Sequence, residues 1–173
     1  MNEVQLKNQE ENKLAERNAQ TEMMVARQSQ EVQVAMIAAK KFPRDEFSAI
    51  ERIKATCQRM TLAEQAIYSY PKGGQNVSGP SIRLAEAIAQ GWGNIDAGVI
   101  ELSNQNGKSE MMAYAWDLET NTRITKTFSI EHVRDTRKGR VSLTDARDIY
   151  EATANFGARR VRACILAIIP GDI

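Results

Sequence analysis

Apolar residues recur along this chain in two periods, and the change from one to the other outlines a fold. Between Met23 and Lys41, Met24, Ala35, Met36, Ile37 and Ala38 sit among good helix formers. Phe42-Pro43 stops that helix, because the residue before a proline avoids the helical region. Asp45 is placed to cap a second helix, where Phe47, Ile50, Ile53, Cys57 and Met60 recur at helical spacing and predict one apolar face. Ala66 to Tyr70 then predicts a short strand, and Pro71-Lys72-Gly73-Gly74 a loop or hairpin turn. A further helix is expected to start at Ser78 or Gly79, with Pro80 at its first position, Ile82, Leu84, Ala85, Ile88 and Ala89 facing the core, and Gly91 and Gly93 ending it.

The period then becomes two. Ile95 to Leu102, Glu110 to Leu118 and Arg123 to Glu131 predict three strands, with Asn106-Gly107 as a hairpin turn and Glu119-Thr120-Asn121 turning the chain again. Met112, Tyr114, Trp116 and Leu118 alternate onto one face of the second strand. In the third, Ile124, Phe128 and Ile130 oppose Arg123, Thr125, Thr127 and Ser129. A basic loop, HVRDTRKGRVS, leads to a long helix from about Asp145 to Ile169, capped by Thr144 and stopped by Pro170-Gly171. Its buried side is expected to hold Ile149, Ala152, Phe156, Val161, Cys164, Ile165 and Ile168. The fold class is therefore α+β: an antiparallel three-stranded meander in a β-β-β-α core, packed on a long C-terminal helix, with an N-terminal helical region.

Residues 1–22 are rich in Asn, Gln, Glu and Lys, too polar to offset ordering entropy alone, and are expected to form a mobile polar arm or a frayed helix. Residues 23–173 make one domain. Cys57 and Cys164 are two unclustered cysteines, the pattern of a reducing compartment and not of a disulfide framework, and with the single His132 they give no zinc spacing, so no metal is expected. The polar N-terminus has no apolar signal core and ACILAII is too short to span a bilayer, which makes a cytoplasmic location, without membrane attachment, the default.

The net charge of +1 conceals an uneven distribution. Residues 123–162 hold ten bases (Arg123, Lys126, Arg134, Arg137, Lys138, Arg140, Arg147, Arg159, Arg160 and Arg162) against five acids, a local +5. Phosphate binding needs such a local field more than a high global charge, and arginine grips phosphate oxygens two at a time. A solvated helix and loop face would show the same composition, so both readings stand. Tyr68-Ser69-Tyr70-Pro71-Lys72-Gly73-Gly74 places two rings beside a lysine and flexible glycines, an arrangement on which unpaired bases stack; a plain hairpin with tyrosines packed on the core is the alternative. Trp92 is a third stacking candidate.

Other chemistry is thinly represented. Lys72-Gly73-Gly74 and Gly79-Pro80 lack the spacing and the Lys-Ser/Thr end of a triphosphate loop, so no nucleotide cofactor is expected. His132 is expected to be structural or a phosphate contact rather than a general base. Asp96, Asp117 and Glu119 lie near strand ends where paired carboxylates can hold magnesium, yet no Glu-X-Lys follows, and a nuclease is the lesser reading. No catalytic residue is assigned.

The order of pieces is recognisable in Leu62-Ala63-Glu64, Tyr70 to Gly74, Gly79-Pro80-Ser81-Ile82-Arg83-Leu84-Ala85-Glu86, Gly91-Trp92-Gly93-Asn94, Ala113 to Asn121, Asp148-Ile149-Tyr150-Glu151 and Ala154 to Arg160. Over residues 24–173 the chain resembles the bacteriophage single-strand annealing proteins of the RecT/Redβ and Erf type, a group similar in its core to the ring-forming annealing mediators. The resemblance implies a groove between sheet and long helix that holds single-stranded DNA, homo-oligomeric rings or filaments, and ATP-independent annealing in DNA recombination. Carried over by position, it places Lys72 and Arg83 on one wall of the groove and the basic loop with the last helix's arginines on the other. Members usually continue into a tail that binds a phage exonuclease or the host single-strand-binding protein; this chain stops at Ile173, so those partners are expected only of a longer chain.

The implied mechanism holds strands by their backbones and leaves base edges free, so that pairing to the annealed duplex supplies the free energy. The alternatives are a non-annealing binder, such as a strand protector or nuclease inhibitor, and a phage assembly or scaffold protein with an incidental basic patch.

Overall fold

The computed structural model describes residues 3–136 and 139–173, with side chains from residue 21 onward. Arg137 and Lys138 of the basic segment lie outside the described residues, as do residues 1 and 2. The chain forms two compact units, Met1–Phe42 and Pro43–Ile173.

The first unit is the helix α1 (Glu3–Lys41), so the helix expected from Met23 begins earlier and includes most of the polar segment. Met23, Met24, Val34 and Ile37 are exposed on it.

The second unit is α+β. Helix α2 (Glu46–Cys57) starts as expected: the Asp45 carboxylate accepts from the Ser48 N–H. Its apolar stripe is narrower than the spacing predicts. Ile53 is buried and Ile50 and Cys57 pack beside the core, but Phe47 and Met60 are exposed. After the short α3 (Met60–Ala63), β1 (Ile67–Lys72) pairs antiparallel with β2 (Gln75–Pro80) around a turn at Gly73 and Gly74, both at positive φ.

The second strand of this hairpin corrects the expectation of a helix starting at Ser78 or Gly79. Pro80 ends β2 instead, and Ser81 is the cap of α4 (Ile82–Trp92), its hydroxyl accepting from the Leu84 N–H at 3.2 Å. Pro80 is tolerated because it stands at the end of a two-stranded ladder, where a missing N–H costs little.

The meander is as expected: β3 (Ile95–Gln105), β4 (Lys108–Asp117) and β5 (Thr122–Glu131) form an antiparallel sheet in that order. Asn106 and Gly107 both take positive φ, as a tight hairpin turn demands. The faces are assigned differently from the apolar count. Met111, Ala113 and Ala115 are buried on the face that meets α5 (Ala146–Ile168), while Met112, Tyr114 and Trp116 alternate onto the opposite face. Alanines suit the covered face because a helix must approach it closely. The same need explains Gly157, where a Cβ would stand 3.2 Å from Val99.

Helix α5 is capped by Asp145 rather than Thr144, its carboxylate accepting from the N–H groups of Arg147 and Asp148. Val161, Cys164 and Ile165 are buried, whereas Phe156 is exposed. The basic loop is itself a hairpin, β6 (Val133–Thr136) with β7 (Gly139–Ser142). Among the described residues, no helix is long and apolar enough to cross a membrane.

The core joins α2, α4, α5 and the sheet through Ile53, Ala85, Trp92, Ala113, Ala115, Val161 and Ile165. Gly91 lets α4 approach α2 closely: a Cβ there would lie 2.5 Å from Ile53 Cγ1, and the Gly91 carbonyl accepts two bonds from the Arg52 guanidinium. Gly91→Ala is therefore expected to destabilise by about 1–3 kcal/mol, the cost of overpacking, although alanine ordinarily favours a helix. Urea unfolding checks it; a variant as stable as the parent would show that α2 and α4 separate freely.

Candidate nucleic-acid interface

Tyr68 and Tyr70 are two residues apart on β1, so both project from one side of the hairpin. Their rings stack with centroids 6.0 Å apart and planes 24° from parallel. Opposite them runs α5. Its core stripe of Val161, Cys164 and Ile165 is flanked on one side by Arg159 and Arg162, neighbours at helical spacing, and on the other by Arg160. Arg162 lies over the Tyr68 ring, 4.5 Å from its centroid, and Arg160 over Phe128 of the sheet at 5.4 Å. Between hairpin and helix is an open cleft of about 270 Å³ lined by Tyr68, Tyr70, Ser81, Ile82, Arg159 and Arg162.

This cleft joins two aromatic faces, two guanidinium groups and the first turn of α4, whose helix dipole adds positive potential. Among the described residues, no carboxylate forms an ion pair with Arg159 or Arg162. Arg159 also lies over Phe156 on its own helix, at 5.6 Å. Cations resting on ring faces keep their N–H donors free, in contrast to cations locked to acids. Ser81 and Ile82 carry no sequence mark of a cleft residue; the helix cap at Ser81 is the one signal that points to them.

Among the described residues, the other basic candidates do not line this cleft, which corrects the expectation of one groove wall built from all of them. Lys72 stands at the end of β1 by the hairpin turn, and Arg83 pairs with Glu86 at 3.3 Å on α4. Arg123 sits on the sheet face away from α5, over the rings of Tyr114 and Trp116 at 5.4 and 5.1 Å. Lys126 is on the opposite face of the same strand, since the pleat alternates. Arg134 is 3.7 Å from Asp148, Arg140 reaches both Glu131 and Asp135, and Arg147 pairs with Glu151. The described cations of the +5 segment are thus split by pleat, hairpin and helix among several surfaces, three of the arginines being shared with neighbouring acids.

Trp92 is a second correction. It is 3% exposed in the core, with the Arg44 guanidinium 4.8 Å from its ring centroid, so no base can reach its faces. Gly91 does not end the helix as expected: α4 continues to Trp92 with Gly93 as its cap, and the packing of α4 on α2 carries the indole inward.

Of the three acids considered for magnesium, Asp96 accepts from the Tyr114 hydroxyl at 3.3 Å, and Asp117 and Glu119 serve another partner. Arg44 donates to Asp117 Oδ1 through Nη2, and to Glu119 Oε2 through both its backbone N–H and Nε. Asn94 adds a 2.9 Å bond to Glu119. The backbone N–H bond from Arg44, joined by these side-chain bonds, holds the Glu119 carboxyl below its ordinary range against the opposing effect of burial. His132 is buried. Its Nε2 is 2.8 Å from Ser109 Oγ, which donates to Glu101 Oε1 at 2.7 Å, so Nε2 is the donor of that pair. Its backbone bonds to Gly107 and Leu143 anchor the β6–β7 hairpin to the end of the sheet, the structural role.

No family model, no curated protein and no solved structure matches this chain. The arrangement of its residues is what speaks for a function.

Proposed function

We propose that this chain binds single-stranded DNA in the cleft between the β1–β2 hairpin and α5, and promotes annealing of complementary strands without a nucleotide cofactor, in the manner of the RecT/Redβ and Erf group it resembles. The observation that carries the reading is the pairing of Tyr68 and Tyr70 with two arginines, Arg159 and Arg162, that have no carboxylate partner among the described residues. An exposed ring there can take an unpaired base and each guanidinium a phosphate oxygen. A duplex keeps its bases stacked inside, so the cleft favours single strands.

Annealing follows if several copies, as a homo-oligomer, hold one strand along a row of such clefts. The base edges stay accessible, and pairing supplies the driving force. The test is a quenched-fluorophore annealing assay with complementary oligonucleotides. Pairing is expected to accelerate without ATP, and binding to weaken steeply as salt rises, because neutralising phosphates releases counterions. Binding without acceleration would favour the strand-protector alternative. No binding at low salt would defeat the reading and leave the assembly-protein alternative.

A further inference from the structure

Resting on that reading, we infer that the two tyrosines divide the work: Tyr70 is the platform on which a base stacks, and Tyr68 is a positioning residue that holds Arg162 for the adjoining phosphate.

The two rings have different surroundings. Tyr68 is half-buried and already engaged. Arg162 covers it at 4.5 Å, and its ring lies so close to Gly79 of the paired strand that a Cβ there would stand 2.8 Å from the phenol oxygen and 3.1 Å from Cε1 and Cζ. A base would have to displace the guanidinium to reach that ring. Tyr70 is 44% exposed, carries no cation on its ring among the described residues, and lines the open cleft. An exposed aromatic face beside a fixed cation is the geometry that takes a base and its phosphate as neighbouring groups. The chemical class selected is an unpaired nucleotide with its base present, and the interaction tolerates any base because every base has a π-face.

The experiment compares a polythymidine oligonucleotide with one of the same length carrying abasic sites, using the full chain. Tyr70→Ala is expected to weaken polythymidine binding on the order of 10-fold, to leave abasic binding within about twofold, and to keep the salt slope. Tyr68→Leu is expected to weaken both oligonucleotides alike and to lower the salt slope by about 0.7, the signature of one phosphate no longer neutralised. Tyr68→Phe retains the ring and is expected to restore parental binding, which a fold defect would not explain. In the parent chain, the fluorescence of 2-aminopurine placed in the oligonucleotide is expected to fall on binding, and this arm needs no variant. An equal cost of Tyr70→Ala on both oligonucleotides, an unchanged salt slope in Tyr68→Leu, or unquenched 2-aminopurine in a bound complex would overturn the division of roles while leaving strand binding intact. A parent chain that binds neither oligonucleotide would overturn the functional reading itself.

Discussion

Replacing Arg159 and Arg162 together by alanine is expected to weaken single-stranded DNA binding on the order of 100-fold, about tenfold for each charge-assisted hydrogen bond to a phosphate that is removed. The salt slope is expected to fall by about 1.4, two phosphates at the single-strand value. Stability is expected to change little, because among the described residues neither guanidinium is tied to a carboxylate and the buried stripe of α5 is untouched. Arg147→Ala is the internal control. That residue is equally basic and on the same helix, but its guanidinium is held by Glu151 at 3.1 Å, and binding is expected to stay within about twofold. Fluorescence anisotropy at several salt concentrations reads both quantities. If Arg147→Ala cost as much as the double variant, binding would follow general charge and not the cleft.

The largest stability effect is expected at Arg44. Its side chain and that of Asp117 are each 6% exposed, and it also bridges Glu119 and covers Trp92. Arg44→Ala leaves two carboxylates close together without their cation, and is expected to destabilise by about 3–5 kcal/mol, measured by urea unfolding. The same network sets a pH dependence. Because the Glu119 carboxyl titrates below its ordinary value of 4.5 in the folded chain, its contribution is fully present above that value and is lost as pH falls through the lowered folded one. Glu119→Gln is expected to flatten that acid limb. An acid limb as steep as in the parent would place the responsible carboxylate elsewhere.

The parts of the fold that depend on local chemistry were legible in the residues. Asn106-Gly107 announces its turn, Asp45 its cap, and the alternation from Ile95 to Glu131 its meander. What depends on tertiary closeness was not. Gln75 to Pro80 is polar and ends in Gly-Pro, so nothing within it signals a strand; its pairing with β1 does. Met112, Tyr114 and Trp116 outweigh Ala113 and Ala115 in apolar size, yet the alanines take the core because α5 lies on them.

The site divides along the same line. Tyr68 and Tyr70 were readable as a pair beside a turn, and Arg159 and Arg162 as members of a basic stretch. Which of ten cations meet the tyrosines depends on the rotation of α5 about its axis and on which acids lie near the rest. Arg44 was invisible as a structural centre because its partners are 73 and 75 residues away.

Photo-cross-linking an oligonucleotide that carries 5-iodouracil to the full chain, with the attached residue mapped by mass spectrometry, tests the central claim most directly. Cross-links are expected at Tyr70 and are expected to disappear when unlabelled single strand, but not duplex, is added in excess. Cross-links confined to Tyr114 and Trp116 on the far face of the sheet, or to the β6–β7 hairpin, would contradict the cleft as the place where the strand is held.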